Sequence, residues 1–267
     1  MNLDEINKSF GIKFFNNPNT LNYNLFNYFF KRKIENKIKN DELIKDYHKL
    51  GYIKPKLNFT SLAKYINDNL KENNFEKQND LSNDYSIYFE INEDIKKKIR
   101  KNIPEIFGDI LNKLKFYYQN NIVVSNVEIK RNFGIKDLSH YSLNKREKKN
   151  EYYNMYYHCD YYTMNYFKLF INLQDITEED GPLTFYNIND TKKFVKESKF
   201  LNRNEYKNIN TGKEIKNCGR IGDCLILNTP QCIHRASIPK YGNYRDILCI
   251  TFVATHENIN DIFYYEK

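Results

Sequence analysis

YFKLFINLQDITEEDGPLTF, residues 166–185, decides the fold class. It reads as a strand, an acidic turn ending in Gly181-Pro182, and a second strand opening at Leu183. Strand parity puts Lys168, Phe170 and Asn172 on one face and Leu169, Ile171 and Leu173 on the other. The aliphatic face is expected to pack under helices. The other face then lines an interior, where a lysine needs an anionic partner. Outward from this stretch lie similar runs: NIVVSNVEIKRNF (121–133), YYNMYYHCDYY (152–162), GDCLILNT (222–229) and YRDILCITFVAT (244–255). Gly, Pro, Asn and Asp turns bound them. They do not alternate with regular helices, which disfavours a parallel doubly wound sheet and points to a sandwich or barrel.

Upstream, the first 120 residues read as mainly helical. Residues 20–39 place apolar groups at helical spacing. DELIKDYHKLGYIKPKLN (41–58) reads as a short helix stopped by Gly51, then a short extended piece. Residues 60–72 open with a Thr or Ser cap before an amphipathic run. Residues 73–86 are polar and read as a loop, and 93–118 as one or two helices interrupted by Pro104. The charge run Lys96–Lys98 with Arg100 and Lys101 reads as a solvated helix face. With no internal repeat and no long linker, 1–267 is expected to be a single domain: a mainly helical 1–120 packed on a β-rich 121–267.

Composition limits the function classes. Of 267 residues, 40% are hydrophobic and 16% aromatic, with 23 Tyr and 19 Phe, which is enough large apolar surface to exclude global disorder. No stretch approaches the ~18 apolar residues of a spanning helix, and MNLDEINKSF does not read as a signal peptide. The net charge of +8 permits nucleic acid. However, about 40 Asn against three Ala point to an AT-rich coding bias that also raises Lys, so nucleic acid is disfavoured as a partner. Five cysteines without a CxxC pair read as free thiols in a reducing cytoplasm. Cys218, Cys224 and Cys232 fit no usual zinc spacing.

The chemistry concentrates in the β-rich half. His158 and Asp160 are i and i+2 on one strand and project together, while Cys159 points away. One imidazole and one carboxylate make two-thirds of a facial triad, and His234 is the candidate third ligand. Two His and one carboxylate leave three positions open on an octahedral ion, the arrangement that non-haem Fe(II) oxygenases need. Arg245 lies beyond a turn at Pro239, Gly242 and Asn243. A hairpin there is expected to return its guanidinium beside His234, where it would grip a carboxylate through two bonds.

HxD at 158–160, the acidic turn with Gly181-Pro182-Leu183, Gly222-Asp223, His234 and Arg245 follow one another in an order that resembles the phytanoyl-CoA dioxygenase-like family of Fe(II)/2-oxoglutarate-dependent oxygenases. DYHKLGYIKPKLN also resembles that family's N-terminal Tyr/Gly-Tyr segment. The resemblance covers about residues 45–55 and 150–255. It implies an α+β fold with a mainly β core, a double-stranded β-helix (jelly roll, cupin-like) with the N-terminal helices on one sheet. It implies Fe(II) held by His158, Asp160 and His234, and 2-oxoglutarate held by Arg245. Two departures stand out: Asn187–Asp190 replaces the family's Pro-Gly-Ser-His, and Ala236 stands where a hydroxyl residue is common. Lys168 is a candidate to compensate by meeting a 2-oxoglutarate carboxylate.

The implied reaction is hydroxylation of a small organic molecule by dioxygen, coupled to oxidative decarboxylation of 2-oxoglutarate to succinate and carbon dioxide. Asp160 argues against halogenation, because halide-transferring relatives carry a small residue there. The competing readings are an oxygenase acting on a protein or nucleic acid, and a non-catalytic jelly-roll binding module. His48, His140 and His256 have no such context and read as surface residues. The tyrosines crowding the HxD segment read mostly as packing, with Tyr156 sharing the parity of His158.

Overall fold

A computed structural model of the chain describes residues 41–72, 86–118, 120–134, 157–160, 166–198, 212–255 and 261–263. The helix expected over 20–39 lies outside these residues, as do Tyr156, His140 and His256. Helix α1, Glu42–Leu50, starts where the Asp41 side chain accepts from the Ile44 N–H and stops at Gly51, which adopts φ 79°. Strand β1 (Tyr52–Ile53) and helix α2 (Thr60–Glu72) follow. Most of the segment expected as a loop over 73–86 is outside the described residues, but Ser86 opens a strand, β2 (Ser86–Phe89), that its polar surroundings conceal.

Helix α3 runs unbroken from Glu93 to Tyr118 through Pro104, where the sequence predicts an interruption. A proline in a helix interior costs about 3 kcal/mol. Nine buried side chains along one face, from Ile95 through Phe107 to Tyr118, outweigh it at ~1.5–3 kcal/mol each. The lysines of the charge run are exposed, as expected, and Lys96 pairs with Glu93 at 2.7 Å.

The remaining elements are β3 (Asn121–Phe133), β4 (Tyr166–Asn172), β5 (Leu183–Phe185), helix α4 (Ile188–Ser198), β6 (Ile215–Lys216), β7 (Cys224–Leu227), β8 (His234–Ala236) and β9 (Tyr244–Thr255). They form a six-stranded sheet, β1-β7-β4-β9-β3-β2, and a three-stranded sheet, β6-β5-β8, with every pairing antiparallel. The architecture is α+β, mainly antiparallel. Leu169, Ile171 and Leu173 join Leu248 and Ile250 of β9 under Ile44, Leu62, Ile103 and Phe107 of the helices, so the aliphatic face of β4 packs as its parity predicts. On the opposite face, Phe170, Leu225, Leu227, Ile247 and Cys249 meet Leu183 and Phe185 of the small sheet. The candidate site residues sit in this second layer, between the sheets.

The link from His234 to Arg245 is not the expected hairpin. β8 pairs with β5 in the small sheet, whereas β9 pairs with β3 and β4 in the large one. The connection arches from one sheet to the other, because both strands already have partners along their lengths. Helix α4 lies in a stretch for which the sequence offers no assigned element. Asn187 caps it, with its side chain accepting from the Asp190 N–H at 2.9 Å and donating to the Asp190 carboxylate at 2.8 Å. Among the described residues, no helix is long and apolar enough to cross a membrane.

Candidate active site

His158 forms an isolated antiparallel bridge with His234. Each backbone N–H donates to the other's carbonyl at 2.9 Å, and the Asp160 N–H donates to the Thr229 carbonyl at 3.1 Å. The HxD segment is thus pinned to the chain just before and within β8. Its parity holds: His158 and Asp160 are buried, and Cys159 is half-buried. The imidazole centroids lie 4.5 Å apart. The Nε2 atoms of His158 and His234 each sit 3.7 Å from the same atom, Asp160 Oδ1. One ligand atom from each of the three residues falls within 4.8 Å of the others, close enough to hold one metal ion.

The hydrogen bonding of His234 suits that role. Its Nδ1–H donates to the Cys232 carbonyl at 2.9 Å. A carbonyl only accepts, so the neutral ring keeps its Nε2 lone pair directed at the cluster.

Asp160 Oδ2 lies 2.9 Å from Lys168 Nζ. Burial alone would raise the carboxyl's pKa, but the Lys168 ammonium foremost opposes it, and Asp160 is held well below the usual carboxylate range. Burial likewise opposes the Lys168 charge, and Asp160 keeps that ammonium protonated well above its ordinary range. The anion that a lysine facing inward requires is therefore Asp160.

Arg245 is 2% exposed. Its Nη1 donates to the Gly181 carbonyl, while its Nε has no hydrogen-bond partner. No carboxylate pairs with it among the described residues. Burial pushes its guanidinium down to about 10, only partly offset by Asp246. Asp246 is held elsewhere, by the Arg131 guanidinium in two bonds of 2.7 and 2.6 Å.

The acidic turn places the Gly181 carbonyl. Glu178–Asp180 form one 3-10 turn capped by Thr177, whose N–H donates to Asp180 Oδ2 at 2.8 Å. Asn243 Nδ2 donates to Asp180 Oδ1 at 3.1 Å, and the Lys240 N–H donates to the Glu179 carbonyl at 2.7 Å. These bonds tie the turn to the arch that leads into Arg245. Gly181 adopts φ 65°, and a Cβ there would lie 2.4 Å from the Pro239 nitrogen, so only glycine fits.

These residues share one cavity of about 240 Å³, lined by His158, Asp160, Lys168, His234, Ala236 and Arg245. Three further wall residues, Tyr88, Glu128 and Lys130, come from β2 and β3. The sequence reading misses them. The period-2 alternation of Glu128 and Lys130 around Ile129 was the available signal, but nothing in the sequence says which face looks inward. Lys130 Nζ donates to the Tyr88 hydroxyl at 2.9 Å. His48 is half-buried rather than on the surface and bonds the Tyr117 hydroxyl at 3.1 Å. The zinc alternative does not form: Cys218 is exposed, and Cys224 and Cys232 donate to the Pro55 and Leu50 carbonyls.

The solved structures that resemble this chain include EctD from S. alaskensis, solved with 2-oxoglutarate and 5-hydroxyectoine (TM-score 0.55, 10% identity, covering 84% of this chain and 79% of EctD). The non-haem α-ketoglutarate-dependent epimerase SnoN of nogalamycin biosynthesis also matches (0.51, 13% identity, 80% and 82%), as does the carbocyclase SnoK of the same biosynthesis (0.50, 10% identity, 82% and 85%). The chain shares their fold. These neighbours are consistent with the phytanoyl-CoA dioxygenase-like resemblance read in the sequence. No protein-family model and no curated protein matches the chain.

Proposed function

We propose that this protein is an Fe(II)/2-oxoglutarate-dependent dioxygenase that hydroxylates a small organic molecule. One observation carries the reading. A cluster of two imidazoles and one carboxylate shares one cavity with a buried guanidinium that has no carboxylate partner among the described residues. A buried cation left in this way is costly unless an anion arrives, and a dicarboxylate that also reaches the cluster supplies one.

His158, Asp160 and His234 would hold the iron, and their donor set of two nitrogens and one oxygen fits it. Iron bound there supplies oxygen activation coupled to decarboxylation, in the sum R–H + O2 + 2-oxoglutarate → R–OH + succinate + CO2. The chain's own part is orientation and exclusion of water. Arg245, aimed by the Gly181 carbonyl, grips the distal carboxylate of 2-oxoglutarate. Phe170, Leu183 and Ile247 give the cavity apolar walls, which strengthen every charge contact inside. A cavity of about 240 Å³ suits a small substrate or the end of a larger one. The Lys96–Lys98 run lies on α3, across the large sheet from the cavity, which supports neither nucleic acid nor a basic track into the site.

The facing sheets support a double-stranded β-helix. β1 and β2, from the helical half, complete the sheet that carries Lys168 and Arg245, which supports reading residues 1–267 as one catalytic domain.

The test is release of succinate and labelled CO2 from 2-oxoglutarate, dependent on Fe(II) and O2, alongside metal-dependent thermal shifts. Wild type gains roughly 2.7 kcal/mol of stability at a hundredfold excess of Mn(II) over its Kd, and His158→Ala gains none. A binding module would show the thermal shifts without succinate. A wild type indifferent to both ligands would sink the proposal.

A further inference from the structure

The two oxygens of Asp160 face different neighbours. Oδ1 is equidistant, at 3.7 Å, from both imidazole Nε2 atoms. Oδ2 is 2.9 Å from the Lys168 ammonium. The ammonium therefore pairs with the carboxylate oxygen other than the one that lies 3.7 Å from each imidazole. β4 fixes this placement, because Lys168 lies opposite Leu227 of β7 and Thr251 of β9 in the interior of the large sheet.

We propose that Lys168 is a positioning residue that occupies Oδ2 of Asp160, so that the carboxylate offers the metal one oxygen rather than two. The inference rests on the metal-centre reading above and deepens it. Its consequence is a count of open positions. Two imidazoles and a carboxylate bound through one oxygen leave three of six octahedral positions free. A chelating co-substrate takes two of them and dioxygen needs the third. A carboxylate bound through both oxygens would leave only two, and the co-substrate and oxygen would compete. Groups that pair with metal ligands help fix the orientation of those ligands; here the pairing is an ion pair. The partner is a full charge, half-buried beside a buried carboxylate, so it also weakens the carboxylate as a donor.

The probes are Co(II), whose absorption spectrum reports coordination number, and 2-oxoglutarate. Lys168→Met keeps the length of the side chain and removes the charge. The expected result has a particular sign pattern. Lys168→Met binds Co(II) at least as tightly as wild type, shows an altered Co(II) spectrum, and binds 2-oxoglutarate roughly tenfold more weakly, the low end of what losing such a partner does. Lys168→Arg, which restores a cation, returns both the spectrum and the 2-oxoglutarate affinity toward wild type. A merely structural lysine would give weaker Co(II) binding instead, and that result overturns the proposal. So does a Lys168→Met protein with wild-type spectrum and 2-oxoglutarate affinity.

A second measurement needs no folded Lys168 variant. In wild type, the infrared difference between Co(II)-loaded and metal-free protein shows the Asp160 carboxylate stretches, assigned by their loss in Asp160→Asn. A wide separation of the two stretches marks one-oxygen binding and supports the role of Lys168. A narrow separation marks chelation and overturns it. Co(II) binding that wild type shows and His158→Ala loses confirms the centre independently, so a failure of Lys168 alone remains distinguishable from a failure of the centre. A wild type that binds no Co(II) overturns both.

Discussion

The guanidinium of Arg245 donates to the carbonyl of Gly181, a residue on the opposite sheet's entry turn. This bond spans the cavity wall and sets where an acidic ligand would meet a cation. It uses one N–H and leaves the Nε without a partner.

Arg245→Met separates stability from ligand binding. Replacing a buried, incompletely paired charge with an apolar side chain of similar reach is often neutral or stabilising. Urea unfolding of ligand-free protein is expected to change by less than about 1 kcal/mol, or to rise. The stabilisation given by 2-oxoglutarate should fall by about 2–5 kcal/mol, as when one partner of a buried charge pair is lost. A variant that unfolds early yet binds 2-oxoglutarate normally would contradict both the burial and the assigned role.

Gly181→Ala attacks the same bond from the other side. A non-glycine residue at φ 65° costs roughly 1–2 kcal/mol, and its Cβ would meet backbone atoms of Ser237, Ile238 and Pro239. The arch must shift, carrying the Arg245 partner with it. The expected outcome is both a lower urea midpoint and weaker 2-oxoglutarate binding by calorimetry. Retained affinity would show that the carbonyl does not aim the guanidinium.

Buried thiols set an alkaline limit. Burial pushes Cys224 and Cys249 up to about 12 and Cys232 well above 9. Above pH 9 the unfolded chain releases these protons while the folded chain retains them. Stability is therefore fully present below about pH 8.5–9 and declines as pH rises toward 12, by ~1.4 kcal/mol per pH unit for each thiol. Cys224→Ala removes one contribution. Its loss of stability between pH 9 and 10.5 should be smaller than that of wild type by about 2 kcal/mol; equal losses would refute the linkage.

What could be read in the sequence was mostly what strand parity and motif order encode. The two faces of β4, the shared projection of His158 and Asp160, and the convergence of His234 with them all follow from local rules plus the order of motifs. What escaped depends on distant partners. β2 is four residues long and becomes a strand only because β3 runs alongside it, Ser86 opposite Asn132. α3 passes Pro104 because the apolar face it buries lies on the sheet, which no local signal at 104 reports. α4 did carry a legible cap, Asn187 with Asp190, masked by polar composition. The partner of Lys168 could not be read at all, since it lies on a segment held in place by distant residues, Thr229 and His234.

The two outermost positions of the large sheet belong to β1 and β2, the earliest strands in the order, while its interior is built from strands that follow them in the chain. During synthesis those early segments must wait, unpaired, until Leu227 and Asn132 have been made and can dock against them. Assembly is thus governed by long-range closure and should be slow. The same early segments finally shield the flanks that would otherwise recruit strands from neighbouring molecules. Removing them would invite clumping rather than free a smaller stable protein.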